Sequence, residues 1–104
     1  FVPNDSVIQS AMPVVTAAAR EAKVPVYGSS AVMVDEGAFA TVAVSDTEIG
    51  AASADMAVEI LQGKTAAEVP SVVVPATATV INKTTMEALG IAVESAEGIT
   101  FVED

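Results

Sequence analysis

Three short polar clusters are the residues of this sequence best suited to chemistry: Asn4-Asp5-Ser6, Ser29-Ser30 and Ser45-Asp46. Amide, carboxylate and hydroxyl groups of this kind hold an amino group, a carboxylate or a hydroxyl of a small molecule by hydrogen bonds. Each cluster also has a plainer role open to it. Asn, Asp and Ser are preferred helix N-caps, because their side-chain oxygens accept the free amide protons of the first turn. Ser29-Ser30 equally suit an ordinary turn. Covalent chemistry finds few candidates. There is no His, the commonest acid–base group and metal ligand, and no Cys, so disulfides and thiolate chemistry are excluded. "YGSS" (Tyr27 to Ser30) does not match the strained Gly-x-Ser-x-Gly elbow of hydrolases. Neither a Walker loop nor a Gly-x-Gly-x-x-Gly fingerprint occurs. Asp35-Glu36 reads as a solvated acidic turn, since adjacent side chains rarely aim at one point. Met12, Met33, Met56 and Met86 read as core filling. The expectation is binding without catalysis, and with neither cofactor nor metal.

The elements that must position these clusters follow from the hydrophobic pattern. Phe1-Val2 reads as the tail of a strand, and Pro3 to Ser6 as a polar turn into a helix. From Ser6 to Lys23, residues Ile8, Met12, Val15, Ala19 and Ala22 recur at spacings of four and three, one face of a helix. Met12, Val15 and Ala19 are expected to face a sheet, with Arg20 and Glu21 in water. Pro13 removes one backbone bond, so the first turn is expected to be kinked or separate. Val24 to Ser30 reads as a strand ending in a Gly-Ser loop. Phe39 to Ser45 alternates and reads as a second strand. Asp46 or Thr47 then caps a helix with an apolar face of Ile49, Ala52, Met56, Ile60 and Leu61, ended by Gly63. Ser71 to Asn82 reads as extended, Thr84 to Leu89 as a short helix closed by Gly90, and Ile99 to Asp104 as a last strand. Strands alternating with helices predict an α/β fold with a mainly parallel sheet flanked by helices. In such sheets ligands bind beyond the carboxyl ends of the strands, which is where all three polar clusters fall.

Composition narrows the function classes. With 104 residues there is room for one small domain, and 52% hydrophobic residues suffice for a core. The net charge is −10, from 14 acids against 4 bases. That excludes nucleic acid and anionic membrane surfaces as partners, since both are held by Lys and Arg. The plain reading of the acidity is solubility. No stretch is long and apolar enough to span a bilayer. A strand running through a polar turn into a helix is the middle of an α/β unit, so the sequence is expected to be a piece of a longer protein.

Taken in order, "FVPNDSVIQSAMPVV", "AKVPVYGSS", "GAFATVAVSDTEIG", "MAVEILQGK" and "VINKTTMEALGI" resemble the C-terminal part of ABC-transporter substrate-binding proteins of the tryptophan/tyrosine-type group. The resemblance covers nearly the whole chain and weakens after Val93. It implies a type I periplasmic-binding-protein fold, in which two α/β lobes joined by crossing segments flank a cleft. By that likeness residues 1–104 are the C-terminal portion of a solute-binding protein. Phe39 to Ser45 and the helix after it, within residues 37–63, would pack on the other lobe or on a partner copy. The family's cleft residues would map onto Asn4, Asp5, Ser29, Ser30 and Ser45, with Ser6 and Asp46 beside them.

The function expected is therefore extracytoplasmic solute capture for an ABC importer. The ligand would be a small solute such as an aromatic amino acid, held by lobe closure and delivered to a membrane permease. The resemblance implies a lipoprotein or periplasmic location. A strand with an unpaired edge and an uncovered helix face would make the chain self-associate as a dimer. The alternative is a small flavodoxin-like enzyme or phosphoacceptor domain. That reading needs an acidic cluster with a Lys at strand ends, whereas Lys23, Lys64 and Lys83 fall near predicted helix termini. A purely structural acidic domain is the third reading.

Overall fold

Asp5 starts the first helix. In the computed structural model, which describes residues 1–104, its carboxylate accepts hydrogen bonds from the amides of Val7 and Ile8. Helix α1 (Ser6–Glu21) then runs unbroken for 16 residues with Pro13 inside it. The expected break at Pro13 does not occur. Proline deletes a single amide donor, and the burial of Met12 before it and of Thr16 after it, joined by the bond from Thr16 Oγ1 to the Met12 carbonyl at 2.8 Å, holds both sides in one helix.

After α1 the chain is extended through Val26 and Tyr27, where one parallel bridge joins Tyr27 to Ala40. The strand expected at Val24 to Ser30 thus shrinks to a single bridged residue. Val2 donates its amide to the Tyr27 carbonyl at 2.9 Å, so Phe1-Val2 lies beside this segment without forming a regular strand. Ser29-Ser30 lead into a short helix not anticipated from the sequence, α2 (Ala31–Asp35). Strand β1 (Ala40–Ala43) follows, then α3 (Asp46–Leu61), β2 (Ala78–Asn82), α4 (Lys83–Leu89) and β3 (Ile99–Val102). The region 71–77, expected to be extended strand, contributes no ladder, and pairing begins only after Pro75 and its missing donor. Gly90 closes α4 at φ +71, a left-handed cap that suits glycine.

The class is α/β, with a small sheet flanked by helices. The strand order is β1-β2-β3. Strands β1 and β2 are antiparallel, with Ala40 opposite Ile81 and Ala43 opposite Ala78. Strands β2 and β3 are parallel, with Thr79 opposite Ile99. The sheet is thus mixed, with one antiparallel and one parallel ladder, and the isolated Tyr27–Ala40 bridge is parallel. Strand β1 is an edge of the named sheet: β2 covers one side of it, and on the other the Tyr27 bridge meets it at Ala40 alone. Alternation sends Val80 and Val102 into one cluster with Met12, Met33, Val34 and Ala38. It sends Ile81, Ile99 and Phe101 into a second cluster with Phe39, Ala40, Met86 and Leu89.

The chain divides into two compact units, residues 1–43 with 77–104, and residues 44–76. Strand β1 belongs to the first unit, not with the segment that follows it. The second unit is an insertion between paired strand ends, since the chain leaves after Ala43 and re-enters at its register partner Ala78. In the second unit Ser45 caps α3, and Asp46 and Glu48 in its first turn complement the helix dipole. No residue of α3 is buried. Ile49, Val58 and Ile60 stay about half exposed, and Leu61 is 86% exposed.

Arg20 does not face water as expected. It is half-buried, and its guanidinium donates to Thr85 Oγ1, from Nε at 2.8 Å, and to both carboxylate oxygens of Asp104. Thr85 Oγ1 in turn donates to the Gly37 carbonyl at 2.8 Å. Helical spacing placed Arg20 outside the apolar stripe, but α4 and the C-terminal residues cover that flank. Partial burial pushes the Asp104 carboxyl up. Hydrogen bonds from Arg20 and Asn82 and the charge of Arg20 outweigh it, so its pKa lies below the usual value. A folded-state pKa below the unfolded one stabilises above the unfolded pKa, and that gain is lost as pH falls through the folded one. Arg20→Gln is thus expected to lower stability by about 1–2 kcal/mol near neutral pH, with most of the loss in the Thr85 contact. The gap between the two proteins should narrow as acid protonates Asp104. Urea titrations at neutral and acidic pH check this, and an equal gap at both would assign the whole effect to Thr85.

Candidate functional site

The polar clusters take their places from the caps and extended segments just described. Asn4 is exposed at a bend before α1. Asp5 Oδ1 accepts from Val7 N at 2.9 Å and from Ile8 N at 3.3 Å, so one carboxylate oxygen is committed to the cap. The Ser6 carbonyl accepts from Ser10 Oγ at 2.8 Å, and the Ser6 side chain is exposed. Ser29 is half-buried, and its Oγ reaches only the Met33 sulfur, at 3.6 Å. Ser30 holds the N-cap position of α2 without a side-chain capping bond, and its Oγ is buried with no protein partner. In the second unit, Ser45 Oγ accepts from Glu48 N at 3.4 Å, and Asp46 is the exposed first residue of α3. Two of the seven side chains, Asp5 and Ser45, therefore act as helix caps. Among the half-buried side chains of the clusters, Ser29 and Ser30 are the two that make no capping bond.

Of the three clusters expected beyond strand ends, Ser45-Asp46 follow strand β1, Ser29-Ser30 follow the single bridged residue Tyr27 and its neighbour Gly28, and Asn4 to Ser6 follow no strand. Gly28 N donates to the Ala40 carbonyl at 3.0 Å and Phe39 N to the Val26 carbonyl at 2.7 Å, which sets the Val26–Gly28 segment alongside β1. Ser29-Ser30 follow directly at its carboxyl end. Thr41 Oγ1 donates to the Gly28 carbonyl at 2.7 Å and fixes the turn. Gly28 itself tolerates no side chain, because a Cβ there would lie 2.9 Å from the Cβ of Met33.

Beside this turn lies an open cavity of about 490 Å³. Phe1, Tyr27, Val42 and Ile81 supply its apolar wall, and Ser29, Thr41 and Thr79 are among its lining residues. Of the predicted site residues only Ser29 lines it; Asn4, Asp5, Ser6 and Ser30 do not. Tyr27 meets the ring of Phe39 edge-on, with centroids 5.7 Å apart, which orients its ring. Tyr27, Val42 and Thr79 were not anticipated as site residues. Val42 and Thr79 are register partners, so they share a sheet face, a relation that the antiparallel pairing creates and strand alternation alone does not reveal. No cluster of His, Cys, Asp and Glu is arranged to hold a metal ion.

Residues 1–98 match the family model for ABC transporter substrate binding protein. The chain belongs to this family. It is 32% identical over 103 residues to a tyrosine-binding protein of Clostridioides difficile, covering 99% of this chain and 30% of that protein. Its fold superimposes on a ligand-free, open substrate-binding protein with adhesive properties from Clostridium difficile at a TM-score of 0.79 and 32% identity, covering 98% of this chain and 35% of that one. An ABC domain from Streptococcus pneumonia in complex with L-Trp gives 0.78 at 32% identity, over 95% of this chain and 35% of the other. The chain thus spans about a third of the length of these relatives. Family members are extracytoplasmic binding components of transport systems and not enzymes, and nothing supports the flavodoxin-like alternative. No helix here is long and apolar enough to cross a membrane.

Proposed function

We propose that this chain forms part of the solute-binding component of an ABC importer for an aromatic amino acid. The family match across residues 1–98 carries the reading. A tyrosine-binding relative and a tryptophan-bound one support the aromatic class. The polar clusters Asn4-Asp5-Ser6, Ser29-Ser30 and Ser45-Asp46 contact the solute, with Asp5 or Asp46 on its amino group and the serines on its carboxylate or hydroxyl. Asp5 keeps Oδ2 free of the cap bonds made by Oδ1. Ser30 Oγ lacks any protein partner. A solute touching two lobes favours the closed arrangement and shifts the population toward it, which presents the loaded form to a membrane permease. A lipid anchor or a periplasmic location holds the protein outside the cytoplasmic membrane. Copies of the isolated chain associate as dimers through the uncovered α3 face, which light scattering at micromolar concentration checks; a compact monomer is the contrary result.

Calorimetry with tyrosine, tryptophan and leucine tests the binding, on this chain and on the chain extended to the length of its relatives. In the extended protein, Asp5→Ala or Asp46→Ala is expected to lose about 1.5–3 kcal/mol of binding free energy, roughly ten- to hundredfold in affinity. Unchanged affinity in both variants would reduce the two carboxylates to helix-end residues. No binding of any amino acid by the extended protein would remove the reading.

A further inference from the structure

We propose that the cavity beside Gly28 is the seat of the uncharged aromatic ring of the solute, with Tyr27 as the residue that selects it. This rests on the solute-binding reading above and names residues that it did not include.

The charge of the lining is the first argument. The chain carries 14 acids and 4 bases, yet the wall formed by Phe1, Tyr27, Gly28, Ser29, Ala40, Thr41, Val42, Thr79 and Ile81 holds no charged side chain. Apart from the terminal ammonium of Phe1, no charged group belongs to these residues, and such a wall in so acidic a chain matches an uncharged occupant. Size and polarity are the second argument. At about 490 Å³ the cavity falls within the span of small-molecule sites, which are mostly apolar with a few placed polar groups. Of its hydroxyl residues, Thr41 is committed to the Gly28 carbonyl and Ser29 Oγ lies against the Met33 sulfur, while Thr79 shares the sheet face of its register partner Val42. A phenolic or indole group on the occupant therefore has Thr79 as its hydroxyl partner on that face.

Position is the third argument. Tyr27 is 47% exposed and Val42 65% exposed, both on the side of the sheet where Ala40 and Ile81 are already core. Ser29 belongs to both the cavity and the polar turn. One solute can therefore lay its ring on Tyr27 and Val42 and keep its charged groups at the strand-end cluster. Stacking on Tyr27 distinguishes a ring from an aliphatic chain of similar size.

Tyr27 is the only tyrosine and there is no tryptophan, so fluorescence of this chain excited near 280 nm reports on that one residue. The probes are benzyl alcohol (a ring alone), L-phenylalanine (a ring with amino and carboxyl groups) and L-leucine. Saturable change in Tyr27 emission is expected with benzyl alcohol and L-phenylalanine and not with L-leucine. Val42→Asp, at an exposed strand position that tolerates a polar residue, is expected to weaken both ring responses about tenfold by placing a charge in the apolar wall. Calorimetric binding of L-phenylalanine that leaves Tyr27 emission unchanged and ignores Val42→Asp overturns the ring seat and leaves the solute reading standing. A response to benzyl alcohol, with no amino acid bound by this chain or by the extended protein, supports the ring seat and removes the solute reading. Emission that follows protein concentration, is insensitive to all three probes and is restored to the monomer value by Val42→Asp shows a second copy in the cavity and overturns the proposal. Absence of any saturable response to a ring overturns it as well.

Discussion

Met12→Asp is expected to abolish folding of the first unit. Met12 is fully buried and sits in the cluster that joins α1 and α2 to the sheet, with Met33, Val34, Ala38 and Val80 around it. No cationic side chain belongs to that cluster, so an aspartate there is either an unpaired buried charge or a protonated acid without a partner. Either state costs several kcal/mol, on the order of the whole stability of a domain this small. The matched control is Val14→Asp on the same helix, where the native side chain is 74% exposed and the change is expected to stay within about 0.5 kcal/mol. Circular dichroism on heating separates the two. A cooperative transition in Met12→Asp close to that of the unchanged protein would show that α1 packs by another face.

The second large effect is expected at Asn82. Its side chain is fully buried where β2 passes into α4, and both ends of the amide are used. Nδ2 donates to the Val34 carbonyl at 2.8 Å, and Oδ1 accepts from Thr85 N at 2.9 Å. One residue thus caps α4 and ties α2 to β2. Asn82→Ala removes both bonds and leaves the Thr85 amide unpaired, while the Val34 carbonyl keeps the bond from Gly37 N at 3.0 Å. At about 1–3 kcal/mol for the orphaned amide and about 0.5–1.5 kcal/mol for the second bond, the expected loss is roughly 1.5–4 kcal/mol. For a domain of about 100 residues that lowers Tm by roughly 6 °C or more. Asn82→Asp keeps the acceptor and loses the donor, so it is expected to recover the cap but not the tie to Val34. Amide exchange distinguishes the two roles. Protection of Thr85 N should vanish in the alanine variant and survive in the aspartate variant. Equal protection in both would mean that water replaces Oδ1 in the cap.

Local signals in the chain determined the helix start at the Asn4 to Ser6 turn, the stop at Gly90, the alternation of β1 and the α/β class, because caps, turns and hydrophobic periods act over a few residues; the cap of α3, expected at Asp46 or Thr47, lies at Ser45. The order of "FVPND", "VPVYGSS" and "VINKTTMEALGI" was enough to indicate the family, which the match over residues 1–98 bears out. The tertiary structure decided what depends on neighbours distant in sequence. Pro13 stays within one helix because buried residues, Met12 and Thr16, anchor it on both sides. Arg20 leaves the water because Thr85, 65 residues further on, arrives beside it. Most of the Val24 to Ser30 segment forms no ladder, since only Tyr27 bridges β1, whereas β1 and β2 form a regular antiparallel pair. The cavity illustrates the same division. Tyr27, Val42 and Thr79 carry no local signature of a site. They line one wall because a strand register is a property of two segments at once, and neither segment specifies it alone.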